Sequence, residues 1–359
     1  MSLLPRKSIL ELISYKPNFG KSNLKNTIRM SANENPLGCS PKVLKSIKSI
    51  QFNRYPPQVS ENLITSISKR FDLDKNKIIL GNGSDELISI LAQSFINYED
   101  EAIYTEYGFL QFPQAIAVSG GKAVIAKDKN LTVSVDNILN MITPKTRIVF
   151  LANPNNPTGT FIDKREVIRL IESLPKNILL VYDAAYAEYI NNPEYTDGIS
   201  LVNKYENVVM LRTFSKLHGL AGIRLGWGYS SESIVKTLMS VRGPFSVNSI
   251  AIEAGIVAIE DKDFQKKSFN YNKKHMKWFE KELNKLNMLY QKSVTNFILI
   301  KFPILENKDA EAAENFFSEQ GILVRNMTSY NLKEYIRVSL GTVEENIKFI
   351  NSLKKFLEI

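Results

Sequence analysis

Lys216 closes the run Thr213-Phe214-Ser215-Lys216, and Arg224 follows eight residues later inside Gly222-Ile223-Arg224-Leu225-Gly226. A deprotonated lysine amine attacks carbonyl carbon, and a desolvated setting lowers its pKa so that more of the amine is free. An arginine makes charge-assisted, often bidentate bonds to phosphate oxygens. The pair suits an aldehyde cofactor held as a Schiff base with its phosphate clamped nearby. A Ser-Lys pair is also common on solvated loops, so the run needs support from elsewhere.

Five further constellations carry chemistry-capable residues. Gly81-Asn82-Gly83-Ser84-Asp85-Glu86 joins an expected strand to an expected helix, where free N–H groups meet anions; a plain capped turn is the alternative. It lacks the Gly-Lys-Ser/Thr of a Walker loop. Tyr107, in Tyr104-Thr105-Glu106-Tyr107-Gly108-Phe109, offers a ring for stacking on a planar ligand, or for the core. Asn153-Pro154-Asn155-Asn156-Pro157-Thr158-Gly159 reads as a stiff loop that aims Asn156 at a ligand oxygen. Asp183 ends the apolar run before Ala184, where a carboxylate is costly unless paired; a protonated ring nitrogen would pair it, and Tyr186 is placed to donate to a phenolate. Arg337 interrupts the apolar stretch Tyr335–Leu340 and calls for a carboxylate, from a substrate or from the protein itself.

These residues need a scaffold that gathers them. Apolar runs at Lys77–Leu80, Glu101–Tyr104, Lys122–Ala126, Arg147–Ala152, Ile178–Tyr182, Val208–Arg212 and Leu225–Tyr229 predict strands. Helical patterns such as Ser84–Ile96, Asp163–Ser173 and Ser231–Val241 fall between them, which predicts βαβ units and a mostly parallel sheet covered on both faces. Open sheets of this kind bind ligands at their strand ends. The pattern changes near Gly243-Pro244. Helices at Ser249–Ile259 and Asp263–Leu286, then strands at Asn296–Phe302, Ile322–Arg325 and Ile336–Leu340, predict a smaller α+β domain. The expected organisation is an arm over 1–40, packing on the small domain and on a partner subunit, a large domain over 41–243, and a small domain over 244–359.

Composition narrows the class. The 359 residues, 44% hydrophobic and 23% charged, describe a globular chain of about two domains. The net charge of +9 is spread along the chain rather than gathered in a tail, and no recognition motif accompanies it, so nucleic acid is not an expected partner. Cys39 is the only cysteine, which suits a reducing cytoplasm. Arg6 and Lys7 are not followed by a long apolar stretch, so no signal peptide is expected, and no segment reaches the ~20 apolar residues of a spanning helix.

In this order, Gly83-Ser84-Asp85, Tyr107, Asn156, Asp183, Tyr186, Ser215-Lys216, Arg224 and Arg337 resemble the fold type I aminotransferases that use pyridoxal 5'-phosphate. Ser31-Ala32-Asn33-Glu34-Asn35-Pro36-Leu37-Gly38, Arg54-Tyr55-Pro56 and Gly321-Ile322-Leu323-Val324-Arg325 make the chain similar, more narrowly, to the histidinol-phosphate aminotransferases. The resemblance implies an α/β large domain with a seven-stranded, mostly parallel sheet between helices, plus the smaller α+β domain. It implies transfer of an amino group between L-histidinol phosphate and 2-oxoglutarate in histidine biosynthesis. Lys216 would bind the cofactor covalently and move the substrate proton. Asp183 would keep the pyridine nitrogen protonated, Asn156 and Tyr186 would bond the ring oxygen, and Tyr107 would stack on the ring. Ser84, Asp85, Thr213, Ser215 and Arg224 would hold the phosphate, joined by Tyr55 from the other subunit of a homodimer with shared active sites. Arg337 and Asn33 would take the carboxylate of the amino-acid partner, and Tyr15 and Arg325 the phosphate of histidinol phosphate. An aromatic-amino-acid aminotransferase, a decarboxylase of a phosphorylated amino acid, and a pyridoxal-binding sensor without catalysis are the alternatives. The chain departs from relatives at Ala184, where many have Glu, and at His218, where a different aromatic is more frequent.

Overall fold

The computed structural model describes residues 6–10, 12 and 27–358. Tyr15, assigned above to the substrate phosphate, lies outside them.

Thirteen strands are formed by the described residues: β1 Ile28–Arg29, β2 Ile78–Gly81, β3 Glu101–Thr105, β4 Lys122–Ala126, β5 Thr146–Ala152, β6 Leu179–Asp183, β7 Val208–Thr213, β8 Gly226–Ser230, β9 Leu289–Gln291, β10 Phe297–Lys301, β11 Ile322–Leu323, β12 Arg325–Asn326 and β13 Tyr335–Ser339. Seven of them build the large sheet in the order β2-β8-β7-β6-β5-β3-β4. Only β8 runs against its neighbours, β2 and β7. The central strands are buried on both faces because helices cover both, which is why they read as unbroken apolar runs instead of alternating ones. One core lies beneath the helices Glu61–Phe71 and Lys164–Ser173, the other beneath Ser84–Phe95 and Glu232–Val241.

This topology puts the chemistry on one edge. The chain leaves β2, β3, β5, β6 and β7 at their C-terminal ends and runs directly into Gly83-Ser84, Tyr107, Asn156, Ala185-Tyr186 and Ser215-Lys216. Reversal of β8 brings its entry point, with Arg224 just ahead of it, to the same edge.

The small domain carries the sheet β12-β13-β10-β9, antiparallel throughout, with Phe279, Phe317, Phe349 and Leu353 packed behind it. The sequence predicts one strand over Ile322–Arg325, and the structure divides it at Val324. β11 pairs in parallel with β1, whereas β12 pairs with β13, so the chain changes sheet between them. Two placements bear on the domain limits. Helix Ser249–Glu260 sets Ala251, Ala254 and Ala258 into the large-domain core, and we propose the division at Asp261 in place of Gly243. Of the N-terminal segment, Lys7–Leu10 rests on the large-domain helix Gln111–Ser119, while β1 joins the small domain.

Candidate active site

A cavity of about 390 Å³ opens at the strand-end edge, between the two domains. Its lining gathers Asn33, Ser84, Asp85, Asn156, Asp183, Tyr186, Thr213, Ser215, Lys216, Arg224, Arg325 and Arg337. These residues are separated by up to three hundred positions in the chain, and only the sheet order brings them together. Two of the sequence candidates stand elsewhere. Tyr107 does not line the cavity: its ring packs on the cluster of Leu299, Met327, Tyr330 and Leu332, and its carbonyl accepts from Asn155 at 3.1 Å. Tyr55 is 83% exposed and stacks on Phe245 with ring centroids 4.8 Å apart.

Asp183 ends β6 and is only 4% exposed. Its carboxylate accepts the Ala185 N–H at 3.1 Å, and no salt bridge reaches it among the described residues. Burial therefore pushes its pKa up to about 7. Lys216 keeps some exposure because it faces the cavity, but the protein packed around its amine desolvates it. That burial, with Arg337 and Arg224 adding repulsion, lowers its pKa to about 8. Its amine lies 5.7 Å from the centre of the Tyr186 ring. The Tyr186 hydroxyl is raised to about 12, chiefly by burial, and accepts a hydrogen bond from Asn33 Nδ2 at 2.8 Å.

The depressed pKa of Lys216 gives a test. The amine is nucleophilic only when unprotonated, so its reactive fraction rises with pH and saturates above the pKa. Cofactor uptake by the apoprotein is expected to speed up until about pH 8 and then level off. An uptake rate that still climbs as it would for an ordinary lysine, with a pKa near ~10.4, would contradict the depression.

At the other end of the cavity, helix Ser84–Phe95 starts without a side-chain cap, so its first N–H groups are open to an anion. Gly83 has φ +79°, and a Cβ there would meet Arg224 Nη2 at 2.6 Å. A Cβ at Gly226 would meet the Ser84 nitrogen at 2.4 Å. Glycine at both positions lets the guanidinium and the helix start approach each other. Arg224 bonds Asp85 at 2.7 Å and Ser215 Oγ at 3.3 Å, which fixes its head beside that helix start.

Pyridoxal 5'-phosphate fits this arrangement. A desolvated carboxyl without an ionic partner matches a protonated ring nitrogen, a bare helix start beside an arginine matches a phosphate, and a low-pKa lysine lines the same cavity. Arg337, on the small domain, donates to Ser31 O at 2.7 Å and to Asn156 Oδ1 at 2.5 Å. Arg325 stands directly opposite it across the β12–β13 pair, so the two side chains share one face.

Several participants were missed in the sequence. Phe109, Leu110, Gln111, Gln114 and Tyr330 line the cavity, and the sequence offers no signal for them beyond residue type. Ser339 was within reach of inference. Two residues after Arg337 on one strand, it shares that face, and it holds Asn33 through two hydrogen bonds of 2.8 and 3.0 Å. His218 is buried against Phe214, and burial lowers its pKa.

The sequence profile of the family "Aminotransferase class I and II" matches residues 25–353. The chain is 39% identical over its full length to the full length of a histidinol-phosphate aminotransferase from Maricaulis maris. It is 40% identical to another from Paramagnetospirillum magneticum, with 98% of each chain covered. Among solved structures, histidinol-phosphate aminotransferase from Sinorhizobium meliloti in complex with pyridoxal-5'-phosphate superposes with a TM-score of 0.89 at 25% identity, covering 98% of this chain and 97% of that one. An aspartate aminotransferase from Thermus thermophilus, at 18% identity, shares the fold with a TM-score of 0.83 over 99% of this chain and 100% of its own.

Proposed function

Since this chain belongs to the class I and II aminotransferases, we propose that it is the pyridoxal-phosphate-dependent enzyme that moves an amino group between L-histidinol phosphate and 2-oxoglutarate in histidine biosynthesis. The observation that carries the substrate reading is the register of β12 and β13. It sets Arg325 opposite Arg337, both under 10% exposed and both lining the cavity. Like charges directly opposite each other on a sheet repel. An anionic ligand group in the cavity would be drawn to both charges, and 2-oxoglutarate and histidinol phosphate each supply one.

When bound, the cofactor supplies an electron sink for the electrons of the substrate Cα–H bond. The residues do the rest. Asp183 holds a proton on the ring nitrogen by charge, since its burial leaves it without another partner. Tyr186 and Asn156 bond the ring oxygen. The Ser84 N–H, Ser215 and Arg224 bind the phosphate, and the ion pair with Asp85 restrains the guanidinium. Lys216 carries the proton between the substrate Cα and the cofactor C4′, and a pKa near 8 lets it act as base and then as acid near neutral pH. Arg337 takes an α-carboxylate, exchanging its contact with Asn156 for it. Stacking of Tyr107 on the ring requires its side chain to turn from the cluster of Leu299 and Leu332 toward the cavity.

The working unit we propose is a cytoplasmic homodimer. Tyr55, 83% exposed, stacks on the partly exposed Phe245 outside its own chain's cavity, and a second subunit would cover this pair. No helix among the described residues is long and apolar enough to cross a membrane.

Arg325→Ala tests the substrate assignment. Losing a charged hydrogen bond costs roughly 1.5–3 kcal/mol, so kcat/KM for L-histidinol phosphate is expected to fall about ten- to a hundredfold. An aromatic amino donor without phosphate should be affected much less. Equal losses for both donors would remove Arg325 from phosphate recognition.

A further inference from the structure

A second cavity, of about 650 Å³, shares no lining residue with the first, although the two are neighbours along the chain: Tyr186 and Lys216 face one, Ala187 and Leu217 the other. Its wall includes Arg212, the penultimate residue of β7, which is 2% exposed. Glu188 and Asp197 hold two of its nitrogens at 2.9 and 2.8 Å, the ring of Phe71 lies 5.4 Å away, and its Nε has no hydrogen-bond partner. A buried guanidinium between two carboxylates makes a negative floor on its own.

Four more cations line the same cavity: Arg70, Lys164, Lys262 and Lys266. None of the four is in an ion pair among the described residues. Arg70 bonds only the Gln265 carboxamide at 3.5 Å, and Lys164 the Pro193 carbonyl at 3.2 Å. The long helix Lys262–Lys285 presents Lys262 and Lys266 one turn apart, and Phe269 follows on that face. Elsewhere on this surface lysines pair readily with carboxylates, as at Lys204–Glu172 and Lys285–Glu282. Here four line a concave, partly aromatic wall whose two carboxylates, Glu188 and Asp197, are both held by Arg212. The volume suits a small molecule, and lysines and arginine suit its phosphate.

We propose that this cavity is a second ligand site, one that takes a small phosphorylated molecule, with the phosphate among these four cations and the rest of the ligand against Phe71 and Phe269. The site is separate from the substrate cavity, so its occupant does not compete with the substrate.

The test is a calorimetric titration of the holoenzyme with inorganic phosphate in a low-salt, phosphate-free buffer. Lys262→Ala/Lys266→Ala removes two exposed charges from a helix that tolerates alanine, so the fold is kept. The wild type is expected to bind phosphate, and the double variant to bind it about tenfold or more weakly, with kcat/KM for the amino donor unchanged. Arg325→Ala should leave this binding in place. Phosphate binding that is absent from the wild type, unchanged in the double variant, or abolished in Arg325→Ala would overturn the proposal. The double variant decides it whatever Arg325 does in the first cavity.

Discussion

Lys216→Ala is expected to lower turnover by about four orders of magnitude or more, because one substitution removes both the nucleophile and the proton carrier. Proton transfer alone is worth up to ~10⁴-fold. The fold should survive. The amine stands beside Arg337 and Arg224, whose charges repel it, and removing it relieves that repulsion without leaving a charge unpaired. Cofactor should still bind non-covalently through Arg224, Ser84 and Asp183. Measurement of kcat, with melting temperature and cofactor content on the same sample, checks all three parts. A small amine added to the variant should restore part of the rate. Retention of more than about a hundredth of the wild-type rate would remove Lys216 from the proton transfer.

Asp183→Asn is expected to cost about two to three orders of magnitude in turnover with cofactor still bound, the range for removing one partner of a desolvated charge pair. Asparagine keeps the shape and the hydrogen bond from Ala185 but not the charge that holds a proton on the ring nitrogen. The apoproteins should differ in the opposite sense. The native pKa of Asp183, about 7, lies above its ordinary value of 3.8, so the native state binds this proton more tightly than the unfolded chain does. The group's contribution is therefore full below about pH 4 and is lost as pH rises through 7. Apo Asp183→Asn should lack that loss and melt at least as high as the wild type at pH 8. A near-normal rate would sink the role assigned to Asp183.

The sequence carried the large domain well because its signals are local. Each central strand is an apolar run bounded by a turn, and Asp183 stands out because a carboxylate ends such a run. Lys216 and Arg224 are separated by one loop. The small domain was harder to read. That Arg325 faces Arg337 depends on how the chain turns between Asn326 and Tyr335, and on the break at Val324 that sends Ile322–Leu323 to a different partner strand. Neither leaves a periodic trace. Arg212 looked like an ordinary strand end, since Glu188 and Asp197 reach it from a loop 24 and 15 residues upstream. Helix Ser249–Glu260 follows a Gly-Pro that reads as a boundary, yet its small alanines fit the large-domain core.

The central claim is a complete transamination cycle on Lys216, and absorbance of the purified holoenzyme tests it most directly. L-histidinol phosphate should abolish the visible band of the lysine-bound cofactor and shift it to shorter wavelength, and 2-oxoglutarate should restore it. A band that ignores L-histidinol phosphate, or that is lost and does not return with 2-oxoglutarate, would contradict the account.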